Sequence, residues 1–264
     1  MVDVGDPRGV LYPARLPTFR RIPAPDELRD LVRWFWIPRW AIAPGRASRQ
    51  ALLPFPASNL VVQADGVTLS GPSTGASHRD LSGRGWAVGA LLRPAGIAAL
   101  SPDPGAIRDA EIPFDDPALH QAVADAMRGD DEATADAAAA SAFAAWATTT
   151  LPAPDDGGLC ANQLEDLIAS DREIVRVDQV ADRLGLTVRG VQRLARRYVG
   201  VPPLTMIRRY RLQEAAQRLR DDASLTVARV AAELGYADQA HLAADFRRVL
   251  GFAPASYRRA AGEG

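Results

Sequence analysis

Arg189, Gln192, Arg193 and Arg196 stand at i, i+3, i+4 and i+7, the spacing that puts side chains on one face of a helix. Three guanidinium groups and one amide share that face, and no carboxylate does. A charged helix face is ordinarily no more than a solvated one. This face differs in content, because Arg and Gln are the side chains that pair in a bidentate way with guanine and adenine edges. A second face holds His241, Ala244, Asp245 and Arg248. Its acid would repel phosphate, so it is the poorer reader of the two. Arg247 or Arg248 would supply phosphate contacts there and His241 a base contact, and Gln239 completes the candidate set.

Other chemistries find less support. The only histidines are His78, His120 and His241, too scattered for a clustered His and carboxylate metal site. The chain has no G-x-S-x-G, no P-loop and no dinucleotide fingerprint, so no catalytic residue, metal or cofactor is expected. Cys160 is the single cysteine, which excludes a disulfide within the chain and suits a reducing cytoplasm. It reads as an incidental thiol, with redox sensing as the alternative. No apolar run approaches the ~18 residues of a membrane span, and Met1 to Arg15 lacks a signal peptide's apolar core. The expectation is a cytoplasmic protein. The formal net charge is −1, but from Asn162 onward seventeen arginines face thirteen acids, a net of +4 that leaves −5 for the rest. The basic part is the one suited to a polyanion.

The elements that must position these side chains come in two copies. Val180-Ala181-Asp182-Arg183-Leu184-Gly185-Leu186 returns as Val230-Ala231-Ala232-Glu233-Leu234-Gly235-Tyr236. Gly200 and Pro203 match Gly251 and Pro254, so the second copy has one extra residue between its glycines. Two copies are fewer than the roughly three a solenoid needs. Each copy predicts helix, tight turn, helix. In the first, Asp178 is placed to cap the opening helix, Gly185 to end it and Thr187 to cap the next, whose buried stripe is Val191, Leu194 and Tyr198. In the second, Thr226, Gly235 and Asp238 take those places, and Leu242, Phe246 and Val249 form the buried stripe. Leu204 to Arg220 lacks Gly and Pro and predicts a helical rod between the copies. A short helix, a glycine turn and a second helix with an Arg/Gln face is a helix-turn-helix arrangement.

From about Ala161 to Arg259 these residues resemble the DNA-binding domain of AraC-type transcription regulators. The resemblance rests on A-x-x-L-G-L at Ala181 to Leu186 and on the Ala231 to Leu242 run. It also rests on Phe246-Arg247-Arg248 and on G-F-A-P-A-S-Y-R at Gly251 to Arg258. It implies two helix-turn-helix motifs, base contacts from Arg189, Gln192 and Arg193, and phosphate contacts from Arg196. At Ala244 the family often places a longer polar or basic residue, which again weakens the second reader. Double-stranded DNA would be the partner, with RNA polymerase added for an activator.

The first 150 residues look β-rich before they turn helical. Asn59 to Gln63 and Gly66 to Ser70 predict strands around the Ala64-Asp65 turn, and Trp86, Val88, Ala90 and Leu92 alternate in another. The order of an aromatic opening, Gly71-Pro72 and V-G-x-x-L-R-P-A-G at Val88 to Gly96 is similar to a variant sensor domain of such regulators, and the resemblance implies a cupin-like barrel that binds a small molecule or mediates dimerisation. Trp34, Trp36 and Trp40 either fill that barrel or line an effector pocket. Arg93 either pairs with an anionic effector or caps the barrel mouth. Leu119 to Ala147 predicts helix, and its Phe143–Trp146 patch packs on the barrel or makes a homodimer contact.

The expectation is therefore a two-domain α+β chain. Residues 1–150 form a β-rich, cupin-like sensor or dimerisation barrel with trailing helices. Residues 148–160 are a linker, and residues 161–260 an all-α domain with two helix-turn-helix motifs joined by a long helix. The rival is a small-molecule-binding protein whose C-terminal helices serve only protein interaction.

Overall fold

A computed structural model describes residues 18–52, 55–222 and 224–257; Met1 to Arg15 and the Arg258 of the closing motif lie outside the described residues. The first half is built on eight strands: β1 (Thr18–Pro23), β2 (Val32–Ala41), β3 (Ala47–Leu52), β4 (Asn59–Gln63), β5 (Gly66–Ser70), β6 (Ser77–Ser82), β7 (Arg84–Leu92) and β8 (Glu111–Pro113). Six of them form an antiparallel sheet in the order β1-β2-β7-β4-β5-β8, and β3 and β6 form a separate two-stranded ribbon. The β4 and β5 hairpin falls where the alternating residues place it, with Val62 opposite Val67 across the turn. Where a barrel is expected, the sheet stays open among the described residues: its outer strands β1 and β8 pair with inner neighbours and not with each other.

Helices cover the face that closure would have hidden. Phe35 and Ile37 of β2 and Leu60 and Val62 of β4 join one buried cluster with Leu119 and Val123 of α2 (Pro117–Ala126) and Phe143 and Trp146 of α3 (Glu132–Thr150). The rings of Phe35 and Phe143 lie 5.4 Å apart and those of Phe143 and Trp146 5.9 Å apart. Asp116 caps α2 by accepting from the Leu119 amide at 2.8 Å, and also accepts from Trp146 Nε1 at 2.8 Å. The Phe143–Trp146 patch is thus taken up within its own half and is not a dimer surface. A short helix, α1 (Pro94–Leu100), follows β7 directly.

The span 148–160 is mostly helical: α3 runs to Thr150 and α4 (Asp156–Ser170) begins at Asp156. The reason lies in the pair of glycines read as linker. Asp155 caps α4, accepting from the Gly158 amide at 2.6 Å and from the Tyr198 hydroxyl at 2.9 Å. A Cβ at Gly157 would lie 2.2 Å from the Tyr198 oxygen, and one at Gly158 3.0 Å from the Ala95 Cβ. The glycines let a helix start pressed against two neighbours.

Among the described residues there follow α5 (Val177–Leu184), α6 (Val188–Tyr198), α7 (Pro203–Asp221), α8 (Val227–Glu233) and α9 (Gln239–Leu250). The duplicated sequence is a duplicated structure, α5–α6 and α8–α9. The extra residue of the second copy falls in its turn, where two residues separate Gly235 from the cap Asp238 and one separates Gly185 from the cap Thr187. Two cores result. One joins Val180, Val191 and Ala195 to Leu164 of α4 and to Met206, Ile207 and Tyr210 of α7. The other joins Val230, Leu242, Phe246 and Tyr257 to Leu212, Ala215, Ala216 and Leu219 of the same α7.

Phe143 is 1 % exposed and touches both the sheet and its own helix partner. We expect Phe143→Ala to cost about 3–5 kcal/mol, read as a lowered urea midpoint of the intact chain, since the cavity between helix and sheet has little room to collapse.

Candidate nucleic-acid interface

The turn between α5 and α6 is set by local chemistry. Gln179 Oε1 accepts from the amides of Val175 and Arg176, at 2.9 Å each, and so caps α5 from within. Asp178, expected in that role, pairs instead with Arg176 at 3.0 Å. Gly185 takes φ 64°, a left-handed position that favours glycine, and Thr187 Oγ1 accepts from the Gly190 amide at 3.0 Å to start α6. Val191, Ala195 and Tyr198 then face the core, with Leu194 half-buried.

That orientation leaves Arg189, Gln192, Arg193 and Arg196 on the exposed face together. Elsewhere in the helical half several arginines are paired with acids: Arg172 with Glu214, Arg176 with Asp178, Arg183 with Asp171, and Arg218 and Arg229 with Glu233. None of the three arginines of the α6 face has a carboxylate within ion-pair distance among the described residues. The neighbouring Arg197 lies outside the stripe, its guanidinium 5.3 Å from the Tyr198 ring.

In the second copy Thr226 Oγ1 accepts from the Arg229 amide at 3.1 Å, Gly235 takes φ 67°, and Asp238 accepts from the His241 amide at 2.7 Å. Gln239, His241, Ala244, Arg247 and Arg248 are exposed on α9. Asp245 is not among them. It is 5 % exposed, accepts from the Tyr236 hydroxyl at 3.3 Å and forms an ion pair with Arg248. Burial, and then the facing carboxylate, pushes the Tyr236 hydroxyl well above the usual phenol range, so it remains a donor. The expected repulsion of phosphate is therefore muted, and Arg248 is partly committed to its own helix.

The residues considered for an effector divide. Trp34 is 6 % exposed and joins a cluster with Phe55 and Leu91 from the sheet half and Leu164, Ile168 and Tyr210 from the helical half. Arg93 forms an ion pair with Asp166 of α4 and donates to the Asn162 carbonyl at 3.3 Å. Both therefore belong to the contact between the halves, because α4 packs against them. Trp36 and Trp40 stay half-buried on the sheet, donating from Nε1 to Asn59 at 2.9 Å and to the Ser82 carbonyl at 3.1 Å.

Sequence reading missed the polar centre of this contact. Arg33 Nη2 donates to Glu165 at 2.8 Å and to Asp166 at 3.1 Å, and Glu165 also accepts from the Tyr210 hydroxyl at 2.9 Å. Burial alone would lower the Arg33 pKa, but Glu165, Tyr210 and Asp166 together hold it above the usual arginine range. Asn162 bridges the halves twice, accepting from the Ala95 amide at 3.1 Å and donating to the Asp30 carbonyl at 2.8 Å. The available signal was Glu165 beside Leu164, one turn from Asn162 and Ile168: an acid and an amide among the core positions of an apolar helix face.

Residues 180–260 match a family model described as a helix-turn-helix domain, and residues 20–113 match one described as a domain of unknown function, DUF6597. Among curated proteins, the chain is similar to the HTH-type transcriptional activator RhaS of Escherichia fergusonii, 35% identical over 98 residues, covering 36% of this chain and 33% of that one. It is also similar to a Streptomyces lividans protein named as an AraC-like transcription regulator, 35% identical over 91 residues, covering 33% of this chain and 30% of that one. The chain thus spans about a third of the length of these relatives. Among solved structures, ToxT from Vibrio cholerae is similar at a TM-score of 0.44 and 11% identity, covering 92% of this chain and 96% of that one.

Glu165 is 1 % exposed beneath Arg33, so Glu165→Ala leaves a buried guanidinium with Asp166 as its remaining acid. The expected loss is about 3 kcal/mol, read by urea denaturation of the intact chain, since removing one partner of a buried pair strands the other.

Proposed function

We propose, from the premise that its C-terminal domain is an AraC-type double helix-turn-helix domain, that this chain is a sequence-specific, DNA-binding transcription regulator. The observation that carries this is the α6 face: Arg189, Gln192, Arg193 and Arg196 exposed together, while Arg172, Arg183 and Arg229 elsewhere in the helical half are held by acids. On the proposed mechanism, α6 lies in a major groove with Arg189, Gln192 and Arg193 toward base edges and Arg196 toward phosphate. Helix α9 enters the next groove on the same side of the duplex, roughly 34 Å along, with Gln239, His241 and Arg247 as its contacts and Arg248 as a weaker one.

The sheet half is the regulatory half in this reading. A small molecule or a second copy of the chain acting there reaches the readers through the Arg33–Glu165–Tyr210 contact, because Tyr210 sits on the helix both readers share. Trp36 and Trp40 are the aromatic groups left on the sheet for such a molecule. The reading is of a cytoplasmic protein without catalytic activity; among the described residues no helix is long and apolar enough to cross a membrane.

The test is selection of genomic fragments by the purified protein at near-physiological salt, with footprinting of the preferred site. Two protected elements about one helical turn apart are expected. On that site Arg193→Ala should cost about 1–3 kcal/mol and relax base preference at one position, whereas Arg196→Ala should weaken all sequences alike. Unchanged affinity and preference in Arg193→Ala would remove α6 as the reader and favour a protein-interaction role for these helices.

A further inference from the structure

Helix α7 is the bar between the two cores of the helical half. Its first half also carries Leu204, Arg208 and Arg211 at i, i+4 and i+7, along one side. Opposite them stand His241, Ala244 and Arg248, the outward face of α9. These two rows are the walls of one cleft of about 450 Å³. Three guanidinium groups and an imidazole line it against one carboxylate, Asp245, already engaged by the Tyr236 hydroxyl and Arg248. Arg211 is fixed, its guanidinium 4.4 Å from the centre of the Tyr236 ring and its Nε donating to the Leu234 carbonyl at 2.6 Å. Its buried Nη2 has no hydrogen-bond partner among the described residues. Arg208 is exposed and has no carboxylate within ion-pair distance among the described residues.

We propose that this cleft seats a backbone phosphate of the DNA that α9 engages, with Arg208 as its principal contact, so that the connecting helix is itself a DNA-binding element. The proposal rests on the DNA-binding reading above and specifies a contact outside both helix-turn-helix motifs. The ligand chemistry is that of a phosphodiester: an anion small enough for the cleft, presented along the wall that α9 turns toward DNA. A guanidinium on a phosphate carries no base information, so its contribution is the same for every sequence and appears as counterion release.

The experiment compares the full-length protein with Arg208→Ala, Arg208→Lys and Arg193→Ala on the selected site and on an unrelated duplex, across a salt series. Arg208→Ala should weaken both duplexes by the same factor and flatten the slope of log affinity against log salt by about 0.9, the value of one phosphate on B-DNA. Between roughly 50 and 200 mM salt the wild type then loses about 3.5-fold more affinity than the variant. Arg208→Lys should restore the slope, and the melting temperature should stay unchanged because the side chain is exposed. An Arg208→Ala slope equal to wild type overturns the proposal, while a relaxed base preference in Arg193→Ala on the same duplexes keeps the α6 reading intact. A flattened slope with unchanged preference in Arg193→Ala supports the cleft and rejects that reading instead. If inorganic phosphate raises the melting temperature of wild type but not of Arg208→Ala, with the slope unchanged, the cleft holds a free anion and the DNA seat is rejected.

Discussion

One helix belongs to two cores, and the geometry of the helical half follows from that. Met206, Ile207 and Tyr210 of α7 are buried with α4, α5 and α6, and Leu212, Ala215, Ala216 and Leu219 are buried with α8 and α9. Neither helix-turn-helix can turn or slide without dragging apolar side chains of α7 out of its core, at a cost of about 1.5–3 kcal/mol for each large one. Nineteen residues at about 1.5 Å each give α7 a length near 28 Å, comparable with one turn of DNA. The spacing of the two exposed faces is thereby a property of packed helix and not of a flexible connection.

The sheet half attaches mainly through α4, which packs against that helix. Trp34 supplies the apolar part of that contact, and Arg33, Glu165, Asp166 and the Tyr210 hydroxyl supply a polar centre inside it. Buried ion pairs add little net stability, because desolvation offsets most of the attraction, but removing one partner strands the other.

Residue types that look equivalent in the sequence end in different states. Among the arginines of the helical half, Arg172, Arg183 and Arg229 are matched by acids, while Arg189, Arg193 and Arg196 face outward together. Among the aromatics, Phe143 and Trp146 fill the space between helix and sheet, Trp34 fills the space between halves, and Trp36 and Trp40 remain half-buried. Composition alone does not separate these groups. Position against a second element does.

What the sequence by itself determined is the short-range part. Caps at Thr187, Thr226 and Asp238, left-handed glycines at 185 and 235, and the hairpin at Ala64-Asp65 involve partners within a few residues, and all of them are found where local chemistry puts them. The exposed α6 face was legible for the same reason, since the period of one helix sorts its own side chains. The tertiary structure decided the rest. Arg33 and Glu165 are 132 positions apart, Trp34 finds its neighbours across two domains, and Asp245 is buried where it accepts from a tyrosine nine residues away. The open sheet and the helical span over 148–160 also depend on which surfaces happen to meet. A periodic pattern shows that a side chain must be buried; only the packed fold shows against what.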